Sequence, residues 1–375
     1  MKILYVNHTA KLGGAERSLL SLIKTLQTEV EISVLLFETG ELHTRLTDLG
    51  VECQVCQING DLLNLKRSIG VLTLARNIAA YFGAIRKLRQ QFMQIQPDLI
   101  HINSYKALVI LSLLSKSQPV IFHSRDHYTT RLQRILLSVG LMQVTRIIAV
   151  SSFLVDENFP KWEKRSTVIR NGFEISSGIR INDCKKWPHS KEKLVFGILG
   201  EISYSKGIDR VFNIYEALST SLPQRIEIMI YGKSNFDDDT YLNKILKDIQ
   251  DNGYEQSIKY MGYETEINTI MNNIDIVLSV PRTAESFGRT IVEGMLHNKV
   301  VFALEKGGVT DIIQHGVHGF HWSNKMENNI SKLKELQANG NETIHMLNRT
   351  REYACNQFDI SRTAKEIKYM YRELT

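Results

Sequence analysis

The sequence has few cysteines and no long hydrophobic run. Its 375 residues include four cysteines, too few for the disulfide framework of small secreted proteins. Cys53 and Cys56 have the spacing of a redox or zinc half-site, but the alternation around them indicates a strand, so we interpret them as structural. No stretch approaches the roughly 18 apolar residues of a spanning helix. The first residues become polar too soon for a signal peptide, and we expect a cytoplasmic protein.

Acidic residues are missing from one long segment. Residues 1–180 contain 22 Lys and Arg against 14 Asp and Glu, whereas the remainder contains 24 against 26. Between Asp61 and Asp98 there is no acid, although six basic residues punctuate this apolar stretch. Segment 62–97 therefore fits either an anionic membrane surface, at the inner face of the membrane, or a pair of amphipathic helices with a solvated basic face. No nucleic-acid-binding module accompanies the charge, so we expect no nucleic-acid partner.

Length and patterning predict two domains of the α/β class. Apolar residues make up 43% and charged residues 23% of the chain, which excludes disordered and collagen-like classes. A chain of 375 residues exceeds the size at which single cores stop growing, about 250 residues. Short strands alternate with helical patterns, which indicates parallel, doubly wound sheets. We predict a Rossmann-like domain at 1–178, which also holds a C-terminal helix near 359–375, and a second at 190–355.

The predicted strands fall into two series separated by a polar linker, residues 172–193. In the first half they are Lys2–Val6, Glu31–Leu36, Cys53–Ile58, Asp98–Ile102, Pro119–His123 and Arg146–Val150. In the second half they are Leu194–Leu199, Arg225–Tyr231, Ser257–Met261, Asp275–Val280, Val300–Leu304 and Gly319–Trp322. Ligands of such folds lie beyond the carboxyl ends of the strands. We expect the two halves to face a central cleft that holds the active site.

Two glycine-containing segments between a strand and a helix are candidate anion sites. Gly13 and Gly14 open the first helix, where backbone amides and the helix dipole favour negative charge. A tight turn without a ligand explains the same glycines. Lys206, next to Gly207 at the start of the second half, is a candidate diphosphate-binding cation. A solvated surface lysine is the alternative interpretation.

The most specific signal runs from Pro281 to Glu293. We predict a helix that begins near Ser286, with Glu285 at its mouth and the amides of Ser286, Phe287 and Gly288 available to a phosphate. Glu293 follows eight residues after Glu285, roughly 12 Å along a helix axis. Carboxylates at this separation suit the two ends of a nucleotide-sugar. A capped helix with one buried glutamate is the alternative.

These motifs, taken in order, resemble the retaining glycosyltransferases of family four, which have the GT-B fold. The resemblance covers most of the chain and rests chiefly on the Glu-Ser-Phe-Gly-(x)4-Glu element. The supporting segments are Gly13–Arg17, Val168–Gly172, Lys206-Gly207, Gly307–Ile313, Gly316…Gly319 and Phe358…Tyr371.

The resemblance implies a role for each matching residue. Glu285 would bind hydroxyls of the transferred sugar, and Glu293 would bind the ribose. The diphosphate would be bound by Lys206, by the 286–288 amides and by Gly13 and Gly14. The family uses no metal, so we expect no metal site and no cofactor other than the nucleotide-sugar co-substrate. Asp237–Asp239 accordingly fits a helix cap better than a metal-binding pair.

The chain departs from the family pattern at two positions. Glu201 stands where the family usually has an arginine, and Arg282 or Arg289 is a candidate replacement. The family also has a histidine six residues after the proline of the fifth strand, where this chain has Arg125. Strand alternation places His123 on the same face as Arg125, so either residue is a candidate donor contact, with Asp126 orienting or pairing with Arg125. An ordinary core histidine at 123 is the alternative.

The resulting hypothesis is a retaining, metal-independent glycosyltransferase. It would move a sugar from a nucleoside-diphosphate sugar to a glycan or lipid-linked glycan, as in bacterial surface polysaccharide synthesis. A GT-B enzyme that modifies the nucleotide-sugar itself, such as an epimerase, is one alternative. A sugar-nucleotide-binding module without catalysis is another, motivated by Glu201 and Arg125.

Overall fold

The chain folds into two compact units. The computed structural model describes residues 1–58, 83, 85–112, 114, 117–175, 184, 186–188, 192–234 and 239–375. The first unit comprises Met1–Glu174 and Ile360–Thr375, and the second comprises Ile175–Asp359. Of the acid-free segment, residues 62–82 and 84 lie outside the described residues, as do Asp237 and Asp238.

The first unit is built on a parallel seven-stranded sheet of order β3-β2-β1-β4-β5-β6-β7. Its strands are β1 (Lys2–Asn7), β2 (Glu31–Leu36), β3 (Glu52–Val55), β4 (Leu99–Ile102), β5 (Val120–Ser124), β6 (Arg146–Ala149) and β7 (Ser166–Val168). Its helices include α1 (Gly14–Leu26), α2 (Glu41–Asp48), α3 (residues 85–95), α4 (Tyr105–Leu111), α5 (Arg131–Leu141) and α6 (Ser152–Asn158). All six predicted strands are present, with ends shifted by up to three residues. β7 was not predicted, because this edge strand has only three residues and no buried one.

The second unit contains a parallel six-stranded sheet of order β10-β9-β8-β11-β12-β13. Its strands are β8 (Lys193–Leu199), β9 (Arg225–Tyr231), β10 (Ile258–Gly262), β11 (Ile276–Ser279), β12 (Val300–Ala303) and β13 (Phe320–His321). Its α-helices include α7 (Val211–Ser221), α8 (Thr240–Asp251), α9 (Ile267–Asn272), α10 (Arg289–Leu296), α11 (Met326–Ala338) and α12 (Gly340–Phe358). The prediction of two doubly wound parallel sheets is confirmed.

The last helix, α13 (Ile360–Leu374), packs against the first unit and contacts α1. Its buried face includes Ile367, Met370 and Tyr371, spaced so that they lie on one side of a helix. The Tyr371 hydroxyl lies 2.5 Å from the hydroxyl of Tyr5 on β1, and both side chains are fully buried. The chain terminus therefore contributes to the core around β1, an interior strand of the first sheet.

Two of the predicted local features take a different form. The predicted helix Ile208–Leu218 starts as a 3-10 turn, Ile208–Arg210, and α7 follows it. Asp239 is the N-cap residue of α8 but makes no side-chain capping hydrogen bond.

Within the described residues, no helix combines the length and apolar composition needed to cross a bilayer.

Gly172 lies directly against the start of α13. A Cβ at this position would lie 2.5 Å from the Ile360 Cα and 2.8 Å from the Thr363 Oγ1. We predict that Gly172→Ala lowers the free energy of unfolding by about 1–3 kcal/mol, since overpacking forces backbone to move. Urea unfolding followed by circular dichroism measures the change.

Gly340→Ala is the matched control, because its Cβ would meet only the Trp187 carbonyl oxygen at 3.6 Å. Alanine is favoured over glycine inside helices by about 1 kcal/mol, so this variant should be as stable as the parent or more so. Equal unfolding midpoints for the two variants would contradict the packing of α13 against Gly172.

Candidate active site

In the second unit, Lys206 and Glu285 form an ion pair at the carboxyl edge of the sheet. Lys206 ends a 3-10 turn, Tyr204–Lys206, that follows β8, and Glu285 lies in the loop after β11. The Lys206 Nζ lies 2.7 Å from the Glu285 Oε1. Their side chains are 36% and 19% exposed, so solvent reaches both. The two residues that the sequence assigned to the diphosphate and the sugar are thus direct neighbours.

Backbone contacts hold these two loops together. The amide of Arg282 donates to the carbonyl oxygen of Ser205 at 2.8 Å. Gly207 adopts a left-handed conformation, φ +68°, and a Cβ there would lie 2.7 Å from the Val280 carbonyl oxygen. Only glycine combines this backbone geometry with such a close approach. The turn that carries Lys206 is therefore fixed against the end of β11.

The loop after β12 supports Glu285 from the other side. The amide of Gly308 donates to the Glu285 carbonyl oxygen at 2.7 Å, and a Cβ on Gly307 would lie 2.3 Å from that oxygen. A Cβ on Gly308 would meet the Ser286 carbonyl oxygen at 2.4 Å. Because Gly307 and Gly308 have no side chains, the backbones of the loops after β11 and β12 can lie in contact. This contact holds the Glu285 backbone in place and so sets the direction of its side chain.

The predicted start of the following helix is wrong. α10 begins at Arg289, and Gly288 precedes it as the N-cap residue in a left-handed conformation, φ +108°. Ser286 and Phe287 precede this cap and do not belong to the first helical turn. The backbone just before them is held in an extended conformation, because Glu285 forms a β-bridge with Gly307. The Phe287 side chain is buried, with its ring 5.9 Å from that of Phe358. Its side chain therefore belongs to the core.

Glu293 lies on α10 and pairs with Arg289 one turn earlier, at 3.3 Å between Oε1 and the guanidinium. The Glu293 side chain is 20% exposed. Arg289, one candidate replacement for the family arginine at position 201, is therefore already beside a carboxylate. Glu201 itself is exposed after β8.

The other candidate, Arg282, forms a tighter pair. Its guanidinium donates to both carboxylate oxygens of Asp209, at 2.6 and 2.5 Å, and lies 4.0 Å from the centre of the Tyr204 ring. These hydrogen bonds lower the pKa of Asp209 to about 2, helped by a hydrogen bond from the Tyr241 hydroxyl. Arg282 thus links the loop after β11 to the segment after β8, the two segments that carry Glu285 and Lys206.

In the first unit, Gly13 and Gly14 are exposed at the start of α1. Gly13 is the N-cap residue, and no side chain caps the helix. Glu16 lies beneath this turn, where it is buried and accepts a hydrogen bond from the Asn7 amide at 3.3 Å. Burial raises the pKa of Glu16. A Cβ on Gly13 would lie 2.9 Å from the Glu16 carboxylate, which is a second reason for glycine at this position.

His123 and Arg125 lie together at the end of β5, as alternation predicted. Both side chains are buried. The Arg125 Nε donates to the Asn103 Oδ1 at 3.0 Å, and its guanidinium also donates to the Asn171 Oδ1. Burial raises the pKa of the neighbouring Asp126 carboxyl, and the charge of Arg125 opposes this rise. The two asparagines thus help to orient the guanidinium, and the role predicted for Asp126 stays a prediction.

Sequence reasoning assigned no role to several residues that meet in the first unit. Asn7 ends β1 and Asn103 follows β4. Polar residues at the ends of adjacent parallel strands could have been used to predict that these two side chains belong to the site. His101, in the middle of β4, and Tyr371, on α13, gave no such signal.

Among the described residues, no group of three or more His, Cys, Asp or Glu side chains has a metal-binding arrangement.

Two family models together span most of the chain. Residues 12–177 match the model described as Glycosyltransferase Family 4, and residues 180–356 match the model described as Glycosyl transferases group 1. The boundary between the two matches falls at residues 177–180.

Curated relatives are distant in sequence. A Klebsiella pneumoniae protein described as an uncharacterized 42.6 kDa protein in cps region is 24% identical over 251 residues, which are 62% of this chain and 63% of that protein. This chain thus matches less than two thirds of that relative. The Campylobacter jejuni GalNAc-alpha-(1->4)-GalNAc-alpha-(1->3)-diNAcBac-PP-undecaprenol alpha-1,4-N-acetyl-D-galactosaminyltransferase is 22% identical over 98% of this chain and 97% of its own.

A solved structure extends the similarity to the fold. The crystal structure of Anabaena Alr3699/HepE in complex with UDP-glucose aligns over 100% of both chains with a TM-score of 0.80 and 23% identity. The predicted GT-B fold class is thereby confirmed. On the two family matches, the chain belongs to glycosyltransferase family 4, the group 1 glycosyl transferases.

Proposed function

We propose that the chain transfers a sugar from a nucleoside-diphosphate sugar to a glycan or lipid-linked glycan acceptor, with retention and without a metal. The observation that carries this proposal is the ion pair between Lys206 and Glu285. A cation and a carboxylate in contact, on loops fastened by backbone hydrogen bonds, offer one partner for a diphosphate and one for sugar hydroxyls.

The two side chains suit opposite parts of the donor. An ammonium group is a strong donor to phosphate oxygens, and a carboxylate accepts hydrogen bonds from hydroxyl groups. Binding of the donor would replace the contact of Lys206 with the Glu285 carboxylate by a contact with a phosphate oxygen. The positive charge of Lys206 would therefore face a negative group both before and after binding. Glu293, further along α10, is the partner we assign to the ribose, and its contact with Arg289 helps to orient its carboxylate.

Uridine is the nucleoside we propose for the donor. The Anabaena protein with the same fold was crystallised with UDP-glucose. The acceptor is supported by the Campylobacter relative, whose name describes a glycan on undecaprenol diphosphate. We therefore propose a lipid-linked glycan as the acceptor class for this chain.

Lys206→Ala should weaken UDP binding, and Glu285→Gln should impair transfer. A hydrogen bond to a charged group contributes about 1.5–3 kcal/mol, so we expect UDP affinity to fall about 10- to 150-fold in Lys206→Ala. Glu285→Gln should leave UDP affinity within a few fold but lower the transfer rate at least about 100-fold, a loss of about 2.7 kcal/mol in transition-state binding. Isothermal titration calorimetry measures binding, and a UDP-release assay measures transfer.

Lys332→Ala is the matched control, since Lys332 forms a lysine–glutamate pair with Glu335 at 2.5 Å within α11, a helix that carries none of the proposed site residues. It should bind UDP like the parent chain. Unchanged UDP affinity in Lys206→Ala would reject the diphosphate assignment. Conversion of the donor without any acceptor would instead favour the enzyme class that modifies nucleotide-sugars.

Metal independence gives a second test. Without a metal, Lys206 must offset the charge that develops on the departing diphosphate, together with backbone amides near α10. We expect equal UDP affinity and equal transfer rates in magnesium and in EDTA. Loss of transfer in EDTA that magnesium restores would overturn this part of the proposal.

We also propose that the first unit reaches its acceptor at an anionic membrane surface. On α5, Leu132, Ile135 and Val139 are 52%, 52% and 51% exposed and are spaced along one helix face, and Met142, the C-cap residue, is 73% exposed. No acidic residue occurs in α5, and Arg131 and Arg134 lie in its first turns. An apolar stripe flanked by cations is the pattern of a helix that lies in a lipid interface.

The double variant Ile135→Asp, Val139→Asp should abolish binding to vesicles that contain phosphatidylglycerol, because it introduces two charges into the apolar stripe. Co-sedimentation at low ionic strength measures binding, which added salt should weaken. Leu246→Asp, on α8 of the second unit and 39% exposed, is the control and should bind like the parent. A parent chain that fails to sediment with these vesicles refutes the membrane proposal.

A further inference from the structure

A buried row of three side chains leads from the C-terminal helix to Arg125. The row consists of Tyr371, His101 and His123. The Tyr371 hydroxyl lies 2.6 Å from the His101 Nδ1, and the His101 Nε2 lies 3.2 Å from the His123 Nδ1. The Arg125 guanidinium lies 3.5 Å from that same Nδ1. All three side chains of the row are at most 1% exposed.

Arg125 sets the direction of every hydrogen bond in the row. A guanidinium donates and cannot accept, so the His123 Nδ1 must be the acceptor and its ring must carry its proton on Nε2. Burial and the Arg125 charge lower the pKa of His101 to about 3 and that of His123 well below its ordinary value. Both imidazoles are therefore neutral and carry one proton each.

The remaining protons follow from this acceptor. His101 must donate from its Nε2 to the His123 Nδ1, which leaves its own Nδ1 as an acceptor. Tyr371 is the neighbour of that Nδ1, so its hydroxyl donates to it. The Tyr371 oxygen in turn accepts from the Tyr5 hydroxyl, 2.5 Å away. The hydrogen bonds thus point in one direction, from Tyr5 towards His123.

The row ends in a donor for which the described part of the chain supplies no acceptor. The His123 Nε2 is buried and has no hydrogen-bond partner among the described residues. A buried donor without an acceptor costs about 1–3 kcal/mol, and native proteins satisfy nearly all such groups. An N–H at this position is suited to an oxygen atom of a bound sugar substrate.

We propose that Tyr371 is a positioning residue, which fixes the proton of His101 on Nε2 and thereby presents His123 as an Nε2–H donor to a substrate oxygen. The substrate part of this inference rests on the proposed function. Without the Tyr371 hydroxyl, the His101 proton is free to move to Nδ1. His101 Nε2 would then face the His123 Nδ1 as a second acceptor, and the orientation of the His123 ring would lose its support.

Tyr371→Phe tests the proposal against Tyr5→Phe, the matched control. Both variants remove one hydroxyl from the same buried pair, so a purely structural role predicts the same effect for both. In Tyr5→Phe the Tyr371 hydroxyl still donates to His101, and the row keeps its direction. We expect Tyr371→Phe to lower kcat about 10-fold with little change in the donor KM, whereas Tyr5→Phe keeps the parental kcat.

Nitrogen-15 NMR of the histidine rings gives a readout that does not depend on activity. The eleven histidines are labelled with nitrogen-15, and His101 and His123 are assigned through His101→Gln and His123→Gln. The parent chain and Tyr5→Phe should show both rings in the Nε2–H form. Tyr371→Phe should show a mixture of the two tautomers at His101.

Either of two NMR results overturns the proposal. One is a proton on Nδ1 of His101 or His123 in the parent chain, a result that does not depend on the folding of Tyr371→Phe. The other is an unchanged His101 tautomer in Tyr371→Phe. If the parent chain transfers no sugar, the proposed function fails, while the NMR comparison still decides whether Tyr371 positions the row.

Discussion

Parallel strand pairing is the constraint on which the rest of the molecule depends. Neighbouring strands in both described sheets are parallel, so each connection must return along the sheet before the next strand begins. All strands of a sheet therefore end at the same edge, where their loops meet. Asn7, Asn103 and Arg125 gather at that edge in the first unit, and Lys206 and Glu285 in the second. Residues far apart in the sequence become neighbours because the strands that carry them pair directly, β1 with β4, β4 with β5 and β8 with β11.

Two ion pairs in the second unit differ in geometry, and this difference indicates which pair holds the loops in place and which is available to a ligand. Arg282 contacts both oxygens of Asp209 and stacks on Tyr204, a planar, bidentate arrangement that is costly to break. Lys206 makes one contact with Glu285 and ends in a flexible, strongly hydrated ammonium group. The lysine therefore exchanges its partner at lower cost than the arginine. The rigid pair holds the loops in place, and the looser pair remains available to a ligand.

The sequence predicted features that depend on local pattern and missed those that depend on distant contacts. Glu31–Leu36 and Arg225–Tyr231 were predicted to the residue, because consecutive buried apolar residues mark a central parallel strand. The start of α10 was wrong, because the backbone before Gly288 pairs with Gly307, about twenty residues later. Tyr371 was missed as a partner of His101 for the same reason, since 270 positions separate them.

The buried charge of Arg125 determines what the histidines beside it can do. Asn103 and Asn171 supply neutral oxygen acceptors to the guanidinium. Burial disfavours the charged form of both neighbouring imidazoles, and the positive charge of Arg125 adds to this effect, so both rings are neutral across the physiological range. A histidine that does not titrate there is a poor general acid or base but a good fixed hydrogen-bond donor. A neutral His123 that donates from Nε2 thus fits the proposed role of orienting a substrate rather than moving its protons.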